Sequence, residues 1–231
     1  HYDIFMDKPT PLVPRPLRFP VTERMSARGE TLIALDEPGL LKTIEQLKDV
    51  EIEAVAVGLL HAYAHPAHEQ RIREILATEL PEVTICLSSE VCPEMREYER
   101  FSTTCANAYI RPLMSGYLQR LQVLAQERGM SCPLLLMMSG GGLTTLENAT
   151  TFPIRLVESG PAGGAILAGK VALECGVTEA LSFDMGGTTA KICLIENGVP
   201  ERSRHFEVAR MYRNLKGSGL PVRIPVIEMV E

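Results

Sequence analysis

Several features are missing from this sequence, and each absence excludes a class of protein. No apolar run approaches the roughly 18 residues needed to span a bilayer, and no charged segment followed by an apolar one marks a signal peptide. No strongly basic stretch is present and the net charge is −6, so the electrostatic pattern of a nucleic-acid-binding protein is missing. We therefore expect partners other than membranes and nucleic acids.

The cysteines lack the spacing of a metal site or a disulfide framework. None of the six forms a CxxC pair, which argues against zinc binding and against a disulfide scaffold. We expect buried or half-buried free thiols in a reducing compartment, and therefore a cytoplasmic protein. The six are Cys86, Cys92, Cys105, Cys132, Cys175 and Cys193.

What is present describes an ordinary folded protein. The chain has 231 residues, of which 45% are hydrophobic and 23% charged, a mixture typical of packed domains. This length predicts one large or two small domains. The chain begins with His1 rather than Met and ends at Glu231, in the apolar run Val222–Val230, so we expect a piece of a longer protein.

Hydrophobic spacing predicts alternating helices and strands in the first hundred residues. Five prolines among residues 1–20 exclude a helix there and favour extended chain, with an edge strand over Leu17–Arg24. The elements predicted after it are a helix over Pro38–Lys48, a strand over Ala54–Leu60, a helix over Pro66–Leu80 and a strand over Val83–Leu87. This alternation is typical of the α/β class. We place a domain boundary near residue 100, which gives domains over residues 1–100 and 101–231.

The second domain is predicted to begin with a long helix and to continue mainly as strands. Proline at position 112 predicts a kink or two helices within Glu97–Arg128. The further predicted elements are a buried strand over Pro133–Met138, a helix over Ser159–Cys175, strands over Glu179–Phe183 and Ala190–Ile195, a tight turn over Glu196–Gly198, and later strands over Phe206–Arg210 and Val222–Val230.

The strongest chemical signal lies between the strands at 179–183 and 190–195. A strand ends in Asp184, a glycine turn follows, and two hydroxyl residues precede the returning strand. Glycines let backbone N–H groups approach an anion closely, and a carboxylate there could hold a divalent cation on that anion. The pattern predicts a phosphate-binding hairpin in which Asp184 holds Mg²⁺ and Gly186, Gly187, Thr188 and Thr189 contact phosphate. The alternative is a hairpin that binds nothing.

Two further glycine-rich segments are candidates for phosphate or substrate contacts. A helix that opens with small residues packs closely and presents a positive N-terminus to anions, although close packing alone explains it equally well. A glycine loop after a strand is a common place for ligands in α/β sheets, and a plain loop is the alternative. The candidates are Ser159, Gly160 and Gly163 in the helix and Ser139, Gly140 and Gly141 in the loop.

The order of these segments resembles the hydantoinase A/oxoprolinase family, within the actin-like ATPase superfamily that includes sugar kinases and heat-shock chaperone ATPases. A small-residue helix, a strand, Asp-x-Gly-Gly-Thr and a returning strand carry the resemblance to the superfamily. Other segments similar to the family are Tyr2-Asp3, 21–24, 54–61, 66–69, 88–91, 96–100, 139–143 and 159–163.

The resemblance implies an α/β fold of the actin-like ATPase (ribonuclease H-like) architecture, here incomplete. It implies the A subunit of an ATP-dependent enzyme that phosphorylates a cyclic amide for ring opening, with ATP, Mg²⁺ and a hydantoinase B-type subunit or domain. The alternatives are a subunit of a ketone carboxylase, another kinase of the same fold and a non-catalytic binding module. The family's first phosphate loop and its adenosine-side segment are expected outside this chain, so we expect weak or no ATPase activity from the chain alone.

Lys191 departs from the family pattern, because family members commonly have an acidic residue at this place. Two residues beyond Thr189 in a strand, Lys191 shares the face of that residue. It could therefore contact phosphate as a catalytic residue beside Asp184, or it could pair with Asp184.

Two other polar clusters are better explained by structural roles than by ligand binding. His61, His65 and His68 are close in sequence, but Pro66 interrupts any shared helix, so loop polarity and capping explain them better than a metal site. The charged run at 96–100 is expected to be a solvated helix start.

Overall fold

The computed structural model describes residues 4–187, 189–212 and 214–230, and these residues divide between two compact units. Unit 1 comprises His1–Pro112 and Glu207–Arg223, and unit 2 comprises Leu113–Phe206 and Ile224–Glu231. The domain boundary near residue 100 stays a prediction. No helix in the described part of the chain is long and apolar enough to cross a membrane.

Unit 1 is built around a parallel β–α–β arrangement. Its elements, in chain order, are β1 (Arg24–Met25), β2 (Thr31–Ile33), α1 (Glu37–Lys48), β3 (Ala54–Val57), α2 (Ala67–Glu79), β4 (Thr84–Leu87), α3 (Ser88–Val91) and α4 (Glu97–Glu127), which continues into unit 2. Strands β3 and β4 pair in parallel. Apolar side chains of α1 and α2 cover them and form the core: Leu40, Ile44, Leu47, Val57, Ile72, Leu76 and Leu87. The α/β prediction is therefore confirmed.

Unit 2 is built from antiparallel strands and one helix of small residues. Its elements are β5 (Leu135–Met137), β6 (Leu143–Thr145), α5 (Leu146–Thr151), α6 (Ser159–Glu174), β7 (Glu179–Met185), β8 (Ala190–Glu196), β9 (Val199–Pro200) and β10 (Arg202–Ser203). Strands β7, β8 and β9 form an antiparallel sheet. After β11 (Phe206–Val208) and β12 (Leu220–Val222), the chain adds β13 (Val226–Ile227), which pairs with β10.

Prolines explain several differences from the predicted elements. The strand expected over Leu17–Arg24 is wrong, because only β1 and a 3₁₀ turn over Arg15–Leu17 form there and proline cannot donate to a strand ladder. The strand expected over Val222–Val230 is broken into two short pieces around Pro225.

The long helix and the strand after it also differ from expectation. Helix α4 is a single element that runs through Pro112, so two helices do not form; a proline removes only one backbone hydrogen bond. Strand β5 is shorter than predicted and not buried, since Leu135 is 53% exposed. The turn after β8 is confirmed, with Asn197 and Gly198 both at positive φ.

All six cysteines are free thiols, as expected. Cys86, Cys92 and Cys193 are buried and Cys105 is half-buried, whereas Cys132 and Cys175 are exposed, so the expectation of burial is wrong for these two. Burial raises the pKa of the Cys193 thiol above its usual value, which favours the protonated form. Cys193 therefore serves packing rather than nucleophilic chemistry.

Candidate functional site

The β7–β8 hairpin places the predicted phosphate-binding residues around one tight turn. Asp184 pairs with Lys191 and Met185 with Ala190 in the antiparallel register. The turn closes through a 3.1 Å hydrogen bond from the Gly186 N–H to the Thr189 carbonyl oxygen. Thr188 lies outside the described residues. Strand β7 extends to Met185, so Asp184 is the penultimate residue of the strand rather than the residue after it.

The turn is open rather than packed. A side chain added at Gly186 or Gly187 would meet nothing within 4 Å, and Asp184 and Thr189 are exposed. The backbone of the turn and the carboxylate beside it are therefore accessible from solvent, as the binding of an anion requires.

The two faces of the hairpin differ sharply. One face packs on α6, where Cys193 and Ile227 are buried with Ala162 and Ala165 of the helix. Asp184 and Lys191 belong to this face, because directly opposed residues of an antiparallel pair share a side of the sheet. The other face carries exposed apolar side chains, including Phe183, which is 61% exposed.

Close packing explains the glycine at position 169 of α6, but it does not explain the glycines at positions 160 and 163, which were predicted to contact phosphate or substrate. A side chain at Gly169 would approach the backbone oxygen of Gly198 closer than 3.0 Å. Gly160 has open space around it, and a side chain at Gly163 would make only an ordinary contact with Met137. Ser159 and Gly160 are the first two residues of α6, so packing does not account for the glycines of its first turns.

Lys191 makes an ion pair that sequence reasoning missed. Its ammonium contacts the carboxylate of Glu158, and the two side chains are 12% and 31% exposed. Glu158 lies directly before α6 and has a left-handed backbone, with φ 64° and ψ 19°. The two residues are 33 positions apart, so no local spacing in the sequence signals the pair.

The Ser139 loop is a packed turn. Ser139 is 1% exposed, and its hydroxyl lies within hydrogen-bond distance of the carbonyl oxygens of Arg155 (2.7 Å) and Val157. A side chain at Gly140 would meet Pro225 at 3.2 Å, and Gly141 has φ +83°. The loop's residues are thus explained by packing and turn geometry, and their contact with phosphate stays a prediction.

The three histidines do not form one cluster. His68 Nδ1 lies 2.7 Å from a carboxylate oxygen of Glu23. The ring of His65 packs against Gly29, and the ring of His61 lies 6.3 Å from that of Tyr63. Across residues 4–187, 189–212 and 214–230, no group of three or more His, Cys, Asp or Glu side chains could hold a metal ion.

The donor set at the hairpin fits magnesium only together with phosphate. Mg²⁺ commonly takes one or two protein carboxylates and completes its shell with phosphate oxygens and water. Asp184 offers one exposed carboxylate beside the open turn. The residues present could therefore hold a magnesium–phosphate group, and they do not form a cage for a bare ion.

Unit 1 contains a buried polar network that the sequence did not predict. Glu69 and Arg100 are both fully buried. The Glu69 carboxylate accepts hydrogen bonds from the Leu59 N–H (2.9 Å), the Ser88 hydroxyl (2.6 Å) and the Ser89 N–H (2.9 Å). The guanidinium of Arg100 in turn donates to the Ser88 Oγ (3.2 Å). The expectation of a solvated helix start is therefore wrong for Arg100, which joins the ends of β3 and β4 to α4.

Two family models match this chain. A family model described as hydantoinase/oxoprolinase matches residues 100–231, and one described as the hydantoinase/oxoprolinase N-terminal region matches residues 1–80. An uncharacterised protein of Methanocaldococcus jannaschii is 40% identical over all of this chain, which covers 34% of that protein. Caprolactamase subunit alpha of Pseudomonas jessenii is 34% identical over 86% of this chain and 29% of its own length.

A solved structure shows the same fold. A nucleotide-free structure of acetone carboxylase, from work on ATP-dependent acetone carboxylation, superposes with a TM-score of 0.84 at 26% identity. The match covers 96% of this chain and 30% of that one. The chain thus spans about a third of the length of each of these three proteins.

Proposed function

Because this chain belongs to the hydantoinase/oxoprolinase family, we propose that it is the phosphate-binding part of the A subunit of an ATP-dependent cyclic amidase. The substrate class is a cyclic amide such as a lactam, hydantoin or oxoproline. The name of the caprolactamase relative, which refers to a lactam, supports this class. The α/β fold, with a small-residue helix before the hairpin, is interpreted as part of an actin-like ATPase architecture.

The single observation that carries the proposal is the open glycine turn beside the exposed carboxylate of Asp184. The opposite end of the same face is packed against α6, with Ile195 and Cys193 buried. Glycine turns are common in purely structural hairpins, so the feature that favours a phosphate site is the carboxylate of Asp184 beside open space at both glycines. A phosphate site needs that arrangement, since backbone N–H groups must reach the anion.

The proposed chemistry assigns a task to each part of the turn. An amide resists ring opening because its carbon is a poor electrophile. Transfer of the γ-phosphoryl group of ATP to the amide oxygen, with release of ADP, would provide a good leaving group. Bound Mg²⁺ would neutralise charge on the phosphates. Asp184 would hold that ion in place, the open space at Gly186 would leave room for phosphate, the N–H group of Gly187 would donate to a phosphate oxygen, and Lys191 would add a positive charge at the edge of the site.

Two further proposals concern partners and location. The caprolactamase relative is a subunit, which supports a multi-subunit enzyme with a hydantoinase B-type subunit or domain. Six free thiols support a reducing, cytoplasmic compartment.

A subunit of an ATP-dependent ketone carboxylase is the second candidate. The observation that favours it is the likeness to acetone carboxylase, with a TM-score of 0.84. ATP hydrolysis measured against a panel of lactams, hydantoins and oxoproline, and against ketones with bicarbonate, separates the two. Stimulation by ketones alone would replace the amidase proposal with this one.

The direct test is Asp184→Asn in the full-length enzyme with its partner subunit. We expect substrate-dependent ATP hydrolysis to fall about 100-fold, as when one electrostatic contact to a reacting group is removed. Glu179→Gln is the matched control, because Glu179 is an exposed acid at the far end of the same strand. Wild-type hydrolysis rates in Asp184→Asn would show that the hairpin is only structural.

A further inference from the structure

Glu158 has a left-handed backbone conformation that residues other than glycine rarely adopt. It lies at φ 64° and ψ 19°, directly before the first residue of α6. Residues at such a position usually cap the helix with a side-chain oxygen, yet the Glu158 side chain makes no capping hydrogen bond. Backbone strain of this kind concentrates at functional sites, which raises the question of what the carboxylate does instead.

The carboxylate of Glu158 contacts the ammonium of Lys191. The ammonium is largely sheltered and the carboxylate partly so, at 12% and 31% side-chain exposure. A sheltered ion pair is screened less by water and salt than a fully exposed one. The pair therefore fixes the Lys191 side chain against the start of α6.

A second acid lies close to Lys191 in the hairpin. Asp184 is directly opposite Lys191 in the hairpin register, and directly opposed residues of an antiparallel pair have Cβ atoms about 4.5–5.5 Å apart. Lys191 thus contacts a partly buried acid before α6 and lies across the hairpin from an exposed acid at the open turn.

We propose that Glu158 is a positioning residue that holds the Lys191 ammonium and so keeps the Asp184 carboxylate available to a divalent cation on bound phosphate. This inference rests on the proposed phosphate site. A lysine and a divalent cation compete for one carboxylate, because each supplies positive charge to it. Because Glu158 pairs with the lysine, the negative charge of Asp184 stays available to the cation.

The test is the binding of manganese, as a probe for magnesium, to the full-length protein in the presence of ADP. Free Mn²⁺ is measured by electron paramagnetic resonance, so that no turnover is needed. In Glu158→Gln, Lys191 turns to Asp184 and the dissociation constant of Mn²⁺ rises about tenfold, the size of a coupling between residues in contact. Glu174→Gln is the control, because Glu174 is an exposed acid at the other end of α6.

The double variant distinguishes positioning from a purely structural role. In Glu158→Gln with Lys191→Met, no lysine remains to occupy Asp184, so the dissociation constant returns to that of Lys191→Met alone. Two results would overturn the inference: a double variant that binds Mn²⁺ as weakly as Glu158→Gln does, or a Glu158→Gln protein that binds Mn²⁺ as tightly as the wild type does.

One more variant separates this inference from the proposed function. If Asp184→Asn abolishes Mn²⁺ binding while Glu158→Gln leaves it unchanged, only the positioning role of Glu158 fails. If Asp184→Asn binds Mn²⁺ and ADP as the wild type does, the phosphate site itself is refuted.

Discussion

Replacement of Gly169 by alanine tests how closely α6 packs on the turn after β8. Gly169 is buried in the middle of α6, and an added Cβ would lie closer than 3.0 Å to the backbone oxygen of Gly198. That oxygen belongs to a tight turn closed by the pairing of Glu196 with Val199. Because the obstacle is backbone within a closed turn, the clash is relieved only by moving the helix or the turn.

The expected magnitude follows from two opposing terms. Overpacking a well-packed site costs about 1–3 kcal/mol, and alanine is more favourable than glycine inside a helix by about 0.8–1.0 kcal/mol. The net effect of Gly169→Ala is a loss of up to about 2 kcal/mol. Gly164→Ala is the matched control, because its Cβ meets nothing within 4 Å and it should gain roughly 0.8–1.0 kcal/mol.

Hydrogen exchange of the α6 amides is the suitable assay, since a chain with two units need not unfold in one step. Local opening free energies translate into exchange rates. Gly169→Ala should speed exchange in α6 by up to about 30-fold, and Gly164→Ala should slow it about fivefold. If the two variants change exchange in the same direction, the close approach at Gly169 is wrong.

Two further predictions concern buried side chains. Glu69→Leu leaves one buried and two partly buried hydrogen-bond donors without their acceptor, at up to about 1–3 kcal/mol each, so circular dichroism should show a lower melting temperature than that of the wild type. Glu74→Gln, at an exposed position of the same helix, should leave the melting temperature unchanged, and equal melting of both variants would contradict the network. At pH 8, iodoacetamide followed by mass spectrometry should label Cys132 and Cys175 well before Cys193, because burial raises the Cys193 pKa and lowers its thiolate fraction. Early labelling of Cys193 would show that its site opens.

Local signals predicted the helices and the hairpin well. Helices α1, α2 and α6 begin and end within a residue or two of their predicted bounds, because apolar spacing and terminal residues are local properties. The hairpin followed from glycines between two apolar runs. Burial was less predictable: β5 was expected to be a buried strand because its residues are apolar, but burial depends on which elements pack against a strand.

The charged contacts could not be predicted from spacing. Arg100 lies in a dense charge run that is typical of a solvated helix start, yet it is fully buried, because strand ends distant in sequence surround it. The sequence predicted phosphate or Asp184 as the partner of Lys191, whereas in the structure its ammonium contacts Glu158. That pair exists because α6 packs on the hairpin, and tertiary proximity of this kind leaves no mark in either segment.

The left-handed backbone at Glu158 has a consequence for protein engineering. Glycine would relax this position by about 1 kcal/mol, so a redesign scored on folding energy alone would choose glycine there and delete the carboxylate. Screens for thermostable variants should therefore enrich Glu158→Gly, and under the positioning role proposed for Glu158 these variants should lose affinity for metal-bound nucleotide.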